Sequence, residues 1–159
     1  MKTKSGGELK QVIAVRHGEY GDGSKELNAE GFEQIEKLAK QLKTIVKHKH
    51  KVAILSSPLT RAKQSAEIIA KQFVGQVETC DELRSDGFGD GAEQMEAILK
   101  MRNGADVVIA VTHYEAPSGI INAFSQKLFG LEVSMRESEK GDGLMLCLKT
   151  GKVSEALFQ

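Results

Sequence analysis

The chain has no tryptophan, two tyrosines, two prolines and two cysteines among 159 residues, and its 22 Lys and Arg are matched by 22 Asp and Glu. Each shortage excludes a class of protein. With two prolines and 16 glycines, neither a collagen-like repeat nor a low-complexity chain fits. Cys80 and Cys147 stand far apart and match no metal-ligand spacing or disulfide framework, so reduced thiols and a cytoplasmic working place are expected. A net charge of zero argues against a nucleic-acid binder or an anionic-membrane binder, since both draw their affinity from excess positive charge. The apolar run at Val12 to Val15 is too short for a signal peptide or a membrane span.

What is present suits one folded unit. Apolar residues make up 40% and charged residues 28%, which points to a single domain over residues 1–159 with a flexible lead over residues 1–10. Gln11 to Val15 is β-branched and apolar and reads as a buried strand. Phe32, Ile35, Leu38, Leu42 and Ile45 then recur at spacings of three and four, the stripe of an amphipathic helix capped at Asn28. Lys51 to Leu55 predicts a second strand. Ser57 is expected to cap the next helix, with Pro58 at its first position and Leu59, Ala62, Ala66, Ile69 and Phe73 facing inward.

Gln76 to Thr79 is a weaker strand, Ser85 to Gly91 a loop by composition, and Glu93 to Arg102 a short helix. Asp106 to Val111 is the strongest strand pattern, followed by a helix over about Ala116 to Phe129. Gly143 to Leu148 and Val153 to Leu157 flank a Thr150-Gly151-Lys152 turn and read as a terminal hairpin. Strands alternating with helices predict an α/β fold, a three-layer α/β/α sandwich whose mainly parallel sheet carries an antiparallel edge strand or hairpin.

Ligands of such sheets sit at the carboxyl ends of the strands. Three apolar strands end there in Arg16-His17-Gly18, in Ser56-Ser57 with Arg61 one turn on, and in Thr112-His113. Two arginines and two histidines should therefore converge from distant parts of the chain and form a site for a phosphate-like dianion, because guanidinium forks match phosphate oxygens. A histidine beside a phosphate can stabilise charge when protonated or attack phosphorus when neutral. His48 and His50 lie among lysines at a helix end and read as a solvated terminus.

Arg16-His17-Gly18, the run Ser57-Pro58-Leu59-Thr60-Arg61-Ala62 with Gln64-Ser65-Ala66, and Thr112-His113 together resemble the histidine phosphatase superfamily, and the small SixA-type phosphohistidine phosphatases in particular. The resemblance implies a metal-independent phosphatase without cofactors. His17 would become transiently phosphorylated, Arg16 and Arg61 would clamp the phosphoryl oxygens, and His113 would act as a second, protonated donor. Glu82, within Asp81-Glu82-Leu83-Arg84, is the expected catalytic acid, with Glu19 next. Larger mutase-like members carry an asparagine where this chain has Gly23.

The substrate class implied is a phosphorylated protein, one bearing phosphohistidine above all, or a small phosphorylated metabolite such as a phosphate ester. A catalytically weak module that only binds phosphate or a phosphoprotein is the alternative. Mutase chemistry needs a closed pocket that keeps water from the intermediate, and this short chain lacks insertions to build one. All four phosphate-facing residues contact the group common to every substrate, so selectivity should rest on the loops Gly18 to Leu27 and Ser85 to Gly91.

Overall fold

The computed structural model describes residues 8–21, 25–84 and 90–155. Six strands form one sheet: β1 (Gln11–Arg16), β2 (Val52–Ser56), β3 (Val77–Thr79), β4 (Val107–Thr112), β5 (Gly143–Cys147) and β6 (Val153–Ser154). Their order is β3-β2-β4-β1-β5-β6. The first four run parallel, and β5 and β6 form the antiparallel edge. Helices α1 (Ala29–Ile45) and α2 (Thr60–Phe73) cover one face; α3 (Gly91–Met101) and α4 (Ala116–Phe129) cover the other.

Strand alternation divides the core in two. Ile13, Val15, Val107, Ile109 and Val111 pack against Ile35, Leu38, Leu42, Ala66 and Ile69 of α1 and α2. Val12, Ala14, Val108 and Ala110 face Ile98, Ile120, Ile121 and Phe124 of α3 and α4. Every residue of β4 is buried, as expected for a central strand covered on both faces. The expected three-layer sandwich with a hairpin edge is the observed architecture, and no helix among the described residues is long and apolar enough to cross a membrane.

Local chemistry explains several helix ends. Asn28 caps α1 by accepting from the Gly31 N–H at 2.8 Å. Asp90 caps α3 by accepting from the Glu93 N–H at 3.0 Å. Pro117 sits in the first turn of α4, and Gly130 ends that helix in the left-handed conformation.

Three expectations about local structure change. Ser57 does not cap α2, which begins at Thr60 behind Leu59 with no side-chain cap. Phe32 is 42% exposed and lies off the buried stripe of α1. Gly31 takes the inward position, where an added Cβ would stand 2.1 Å from the Glu19 carbonyl oxygen, so the next residue on the helix turns outward. The lead is pinned before residue 11, because Leu9 is buried in the core and the Lys10 N–H donates to the Asp106 carbonyl at 2.7 Å. Residues 1–7 lie outside the described residues, as do 22–24 and 85–89 of the two loops and 156–159 of the hairpin's second arm.

Candidate active site

Parallel pairing of β1 with β4 places Arg16 beside Thr112, so the next residues, His17 and His113, emerge side by side. The His17 N–H donates to the Thr112 carbonyl at 3.0 Å, extending the ladder into the site. The Ser57 N–H does the same to Val111 from the β2 side, also at 3.0 Å. The two imidazoles stand edge to face with centroids 5.1 Å apart. Arg16, His17, Arg61 and His113 line one cleft of about 640 Å³ at the carboxyl ends of the strands.

Gly18 makes this turn fit. Its N–H donates to Ser65 Oγ at 3.1 Å, and a Cβ there would meet the Gly31 carbonyl oxygen at 2.8 Å. Only glycine lets β1 leave the sheet this close to α1. Ser65 Oγ in turn donates to the Arg61 carbonyl at 2.8 Å, tying the first turn of α2 to the β1 exit.

The hydrogen bonds of His17 settle its tautomer. Nδ1 is 2.8 Å from the Gly18 carbonyl oxygen, an acceptor only, so Nδ1 carries the proton. Nε2 receives the Arg61 Nε–H at 3.2 Å and is therefore the nitrogen with a lone pair facing the cleft. Burial pushes the ring's pKa down to about 4 from 6.5, against the pull of the Gly18 carbonyl; the charges of Arg61, Arg16 and Lys140 act in the same direction as burial. His17, 3% exposed, is thus neutral at neutral pH.

Both arginines rest on aromatic rings. Arg16 lies 4.8 Å from the Tyr114 ring centroid and donates through Nη1 to the Ser138 carbonyl at 3.1 Å. Arg61 lies 4.6 Å from the Tyr20 centroid. The chain's two tyrosines thus flank the cleft, each holding one guanidinium by cation–π attraction. Sequence reasoning passed over both, although one comes three positions after His17 and the other adjoins His113. It also passed over Arg84 and Gln94, which line the same cleft.

Glu82, the expected catalytic acid, is not in the cleft. It lies on the 3-10 turn Asp81–Leu83, where Leu83 is fully buried and its neighbour consequently points outward. Glu82 lines a separate surface depression with Glu93, Glu96 and Lys100, and its carboxylate receives Cys80 Sγ at 3.6 Å. Glu19 is tied up by Lys140 at 2.7 Å, a bond that holds its carboxyl below the usual range, so it stays ionised and is ill suited to donate a proton. Among the described residues, the carboxylates lining the cleft are Asp90 and Glu115, at the starts of α3 and α4. No group of three or more metal-type side chains that could hold a metal ion occurs among the described residues.

The fold is shared with solved phosphatases at low identity. The protein histidine phosphatase SixA complexed with tungstate is 20% identical, with a TM-score of 0.65 over 92% of this chain and 97% of that one. The SixA protein of Nakamurella multipartitia is 16% identical, with a TM-score of 0.68 over 92% and 96%. A mycobacterial glucosyl-3-phosphoglycerate phosphatase complexed with VO3 is 17% identical, with a TM-score of 0.59 over 87% and 92%. No curated protein matches the chain. The family profile of the histidine phosphatase superfamily (branch 1) matches residues 12–101, a span that runs from β1 through α3 and includes Arg16, His17 and Arg61. With two motif segments inside that match and the sheet bringing His113 beside them, the chain belongs to the histidine phosphatase superfamily.

Proposed function

We propose that the protein is a metal-independent phosphatase that works through a phosphohistidine formed on His17, with a phosphohistidine-bearing protein or a small phosphate ester as substrate. The observation that carries this reading is the Nε2 lone pair of a neutral, buried His17 beside the Arg61 guanidinium. The phosphoryl oxygens would sit between Arg16, Arg61 and a charged His113. As they arrive, the Arg61 donor turns from Nε2 to the ligand and frees the lone pair for in-line attack. Nε2 forms a bond to phosphorus while the leaving group departs with its bonding pair and takes a proton from solvent. Water then attacks the phosphohistidine, releasing phosphate and restoring His17. Preorganised cations stabilise the charge spread over the transferring group in both steps.

The outward position of Glu82 bears on the substrate. Glu19 is bound to Lys140 and Asp90 uses an oxygen to cap α3, whereas Glu115 lines the cleft with no side-chain cap bond to α4. An imidazole leaving group, which needs less protonation than an alkoxide, tolerates the position of Glu82 outside the cleft. Two structural neighbours are complexes with oxyanions, tungstate and VO3, which supports an oxyanion as the ligand class. The thiols of Cys80 and Cys147 are unpaired, and burial pushes Cys80 up to about 11. Unpaired thiols suit a reducing cytoplasm.

The test compares wild type with His17→Ala on an aryl phosphate and on a phosphohistidine protein. Turnover should vanish in the variant, and a quenched reaction of wild type should hold acid-labile phosphate on His17. Equal turnover by both proteins removes His17 from the mechanism. Binding of phosphate with no covalent species in wild type establishes the alternative, a phosphate-binding module.

A further inference from the structure

Ser56 and Ser57 are adjacent and both fully buried, yet their hydroxyls do different things. Ser56 Oγ donates to the backbone carbonyl of Ser57 at 2.8 Å. Ser57 Oγ lies 2.8 Å from His113 Nε2 and also accepts the Leu59 N–H at 3.3 Å. The Ser57 backbone is itself held by its bond to Val111 in β4, the strand that delivers His113. The hydroxyl and the imidazole are therefore presented to each other from neighbouring strands.

A hydroxyl has one proton and two lone-pair sites. Leu59 uses one lone pair of Ser57, leaving one lone pair and the proton for His113. A neutral His113 with unprotonated Nε2 accepts a hydrogen bond from the hydroxyl. A charged His113 donates its Nε2–H to the second lone pair, and the hydroxyl proton is released to turn elsewhere. Bonds from an ionised donor are roughly twice as strong as neutral ones, so Ser57 favours the charged ring. The surroundings pull both ways: Arg16, Arg61 and Arg84 oppose that charge, while Asp90 and Glu115 at the cleft rim support it. His17, edge-on at 5.1 Å, is neutral, and the Tyr20 and Tyr114 phenols complete the wall.

We propose that Ser57 is a positioning residue that orients His113 through Nε2 and holds it protonated against the surrounding guanidinium groups. This inference rests on the reading of His113 as the charged donor of a phosphatase. It goes beyond that reading in assigning the charge to a named partner.

The test uses the full chain labelled with nitrogen-15 at histidine, as wild type, Ser57→Ala and Ser56→Ala. In Ser57→Ala the NMR titration of His113 should move to lower pH by about half a unit to one unit, whereas Ser56→Ala should leave it in place. With an aryl phosphate, kcat of Ser57→Ala should fall about tenfold with KM within about twofold, and the basic limb of its pH profile should move to lower pH in step. Ser57→Cys, close in volume with a weaker acceptor, should show the same shifts at smaller size and serves if the alanine variant does not fold. A His113 titration within about 0.2 unit of wild type in Ser57→Ala overturns the proposal. So do equal kcat losses in Ser56→Ala and Ser57→Ala with no movement of the limb. Should wild type turn over no phosphate at all, the phosphatase reading fails, and the histidine titration still decides the role of Ser57.

Discussion

Acid should weaken the wild-type protein more than a His17→Gln variant. His17 has a pKa near 4 in the folded protein and 6.5 as its ordinary value. The unfolded chain therefore gains a proton near pH 6.5 that the folded chain refuses until about pH 4. Within that window the unfolded state binds more protons, so stability falls as pH falls. The contribution is complete above pH 6.5; relative to neutrality about 2 kcal/mol is lost by pH 5 and about 3 kcal/mol by pH 4. Asp106 and Glu19 also have carboxyls held below their ordinary values, and they too destabilise the fold in acid, but equally in both proteins. The wild-type-minus-variant difference isolates His17. Urea unfolding followed by circular dichroism at pH of about 7, 6 and 5 measures it. A difference that stays constant across this range would show that the folded protein accepts the proton on His17, and the argument for a neutral nucleophile at the cleft floor would fall with it.

Other perturbations test the remaining geometry. Arg61→Lys keeps the charge but loses the Nε donor to His17 and the stacking on Tyr20; kcat/KM for an aryl phosphate should fall about a hundredfold, and a loss below about threefold would show that charge alone suffices. Glu82→Gln should leave turnover within about twofold, since that side chain lines a different depression; a larger loss would return it to the mechanism. Val74 ends α2 at a φ of 52° and is 96% exposed. Relieving a β-branched residue of that conformation, Val74→Gly should raise stability by about 1 kcal/mol in urea unfolding, and a loss of stability would refute the strain.

The elements whose apolar pattern dictates their burial were readable without coordinates. Val107 to Val111 reads as a strand from its unbroken apolar run, and Ile35, Leu38 and Leu42 share a buried face by their spacing. Phe32 misled because it continues that stripe by spacing while the close contact of Gly31 with the Glu19 backbone rotates it outward. Ser57 misled for a related reason. Its placement before a proline and a helix satisfies every local rule for a cap, but α2 starts only at Thr60, and the hydroxyl accepts the Leu59 N–H ahead of the helix while facing a histidine fifty-six positions away. Glu82 could not be aimed from sequence, because the 3-10 turn gives one inward position and Leu83 takes it.

Chain order and residue type by themselves determined the alternation of strands and helices, and the placing of Arg16-His17, Ser56-Ser57 and Thr112-His113 at strand ends. Those are one-dimensional properties: the periodicity of burial and the identity of the residues just past each apolar run. Tertiary structure alone decided that His17 holds its proton on Nδ1, that Ser57 turns to His113, that two tyrosines brace two arginines, and that Glu82 faces away. Each of these depends on the register between strands or the closeness of backbones distant in sequence, and no local pattern carries that information.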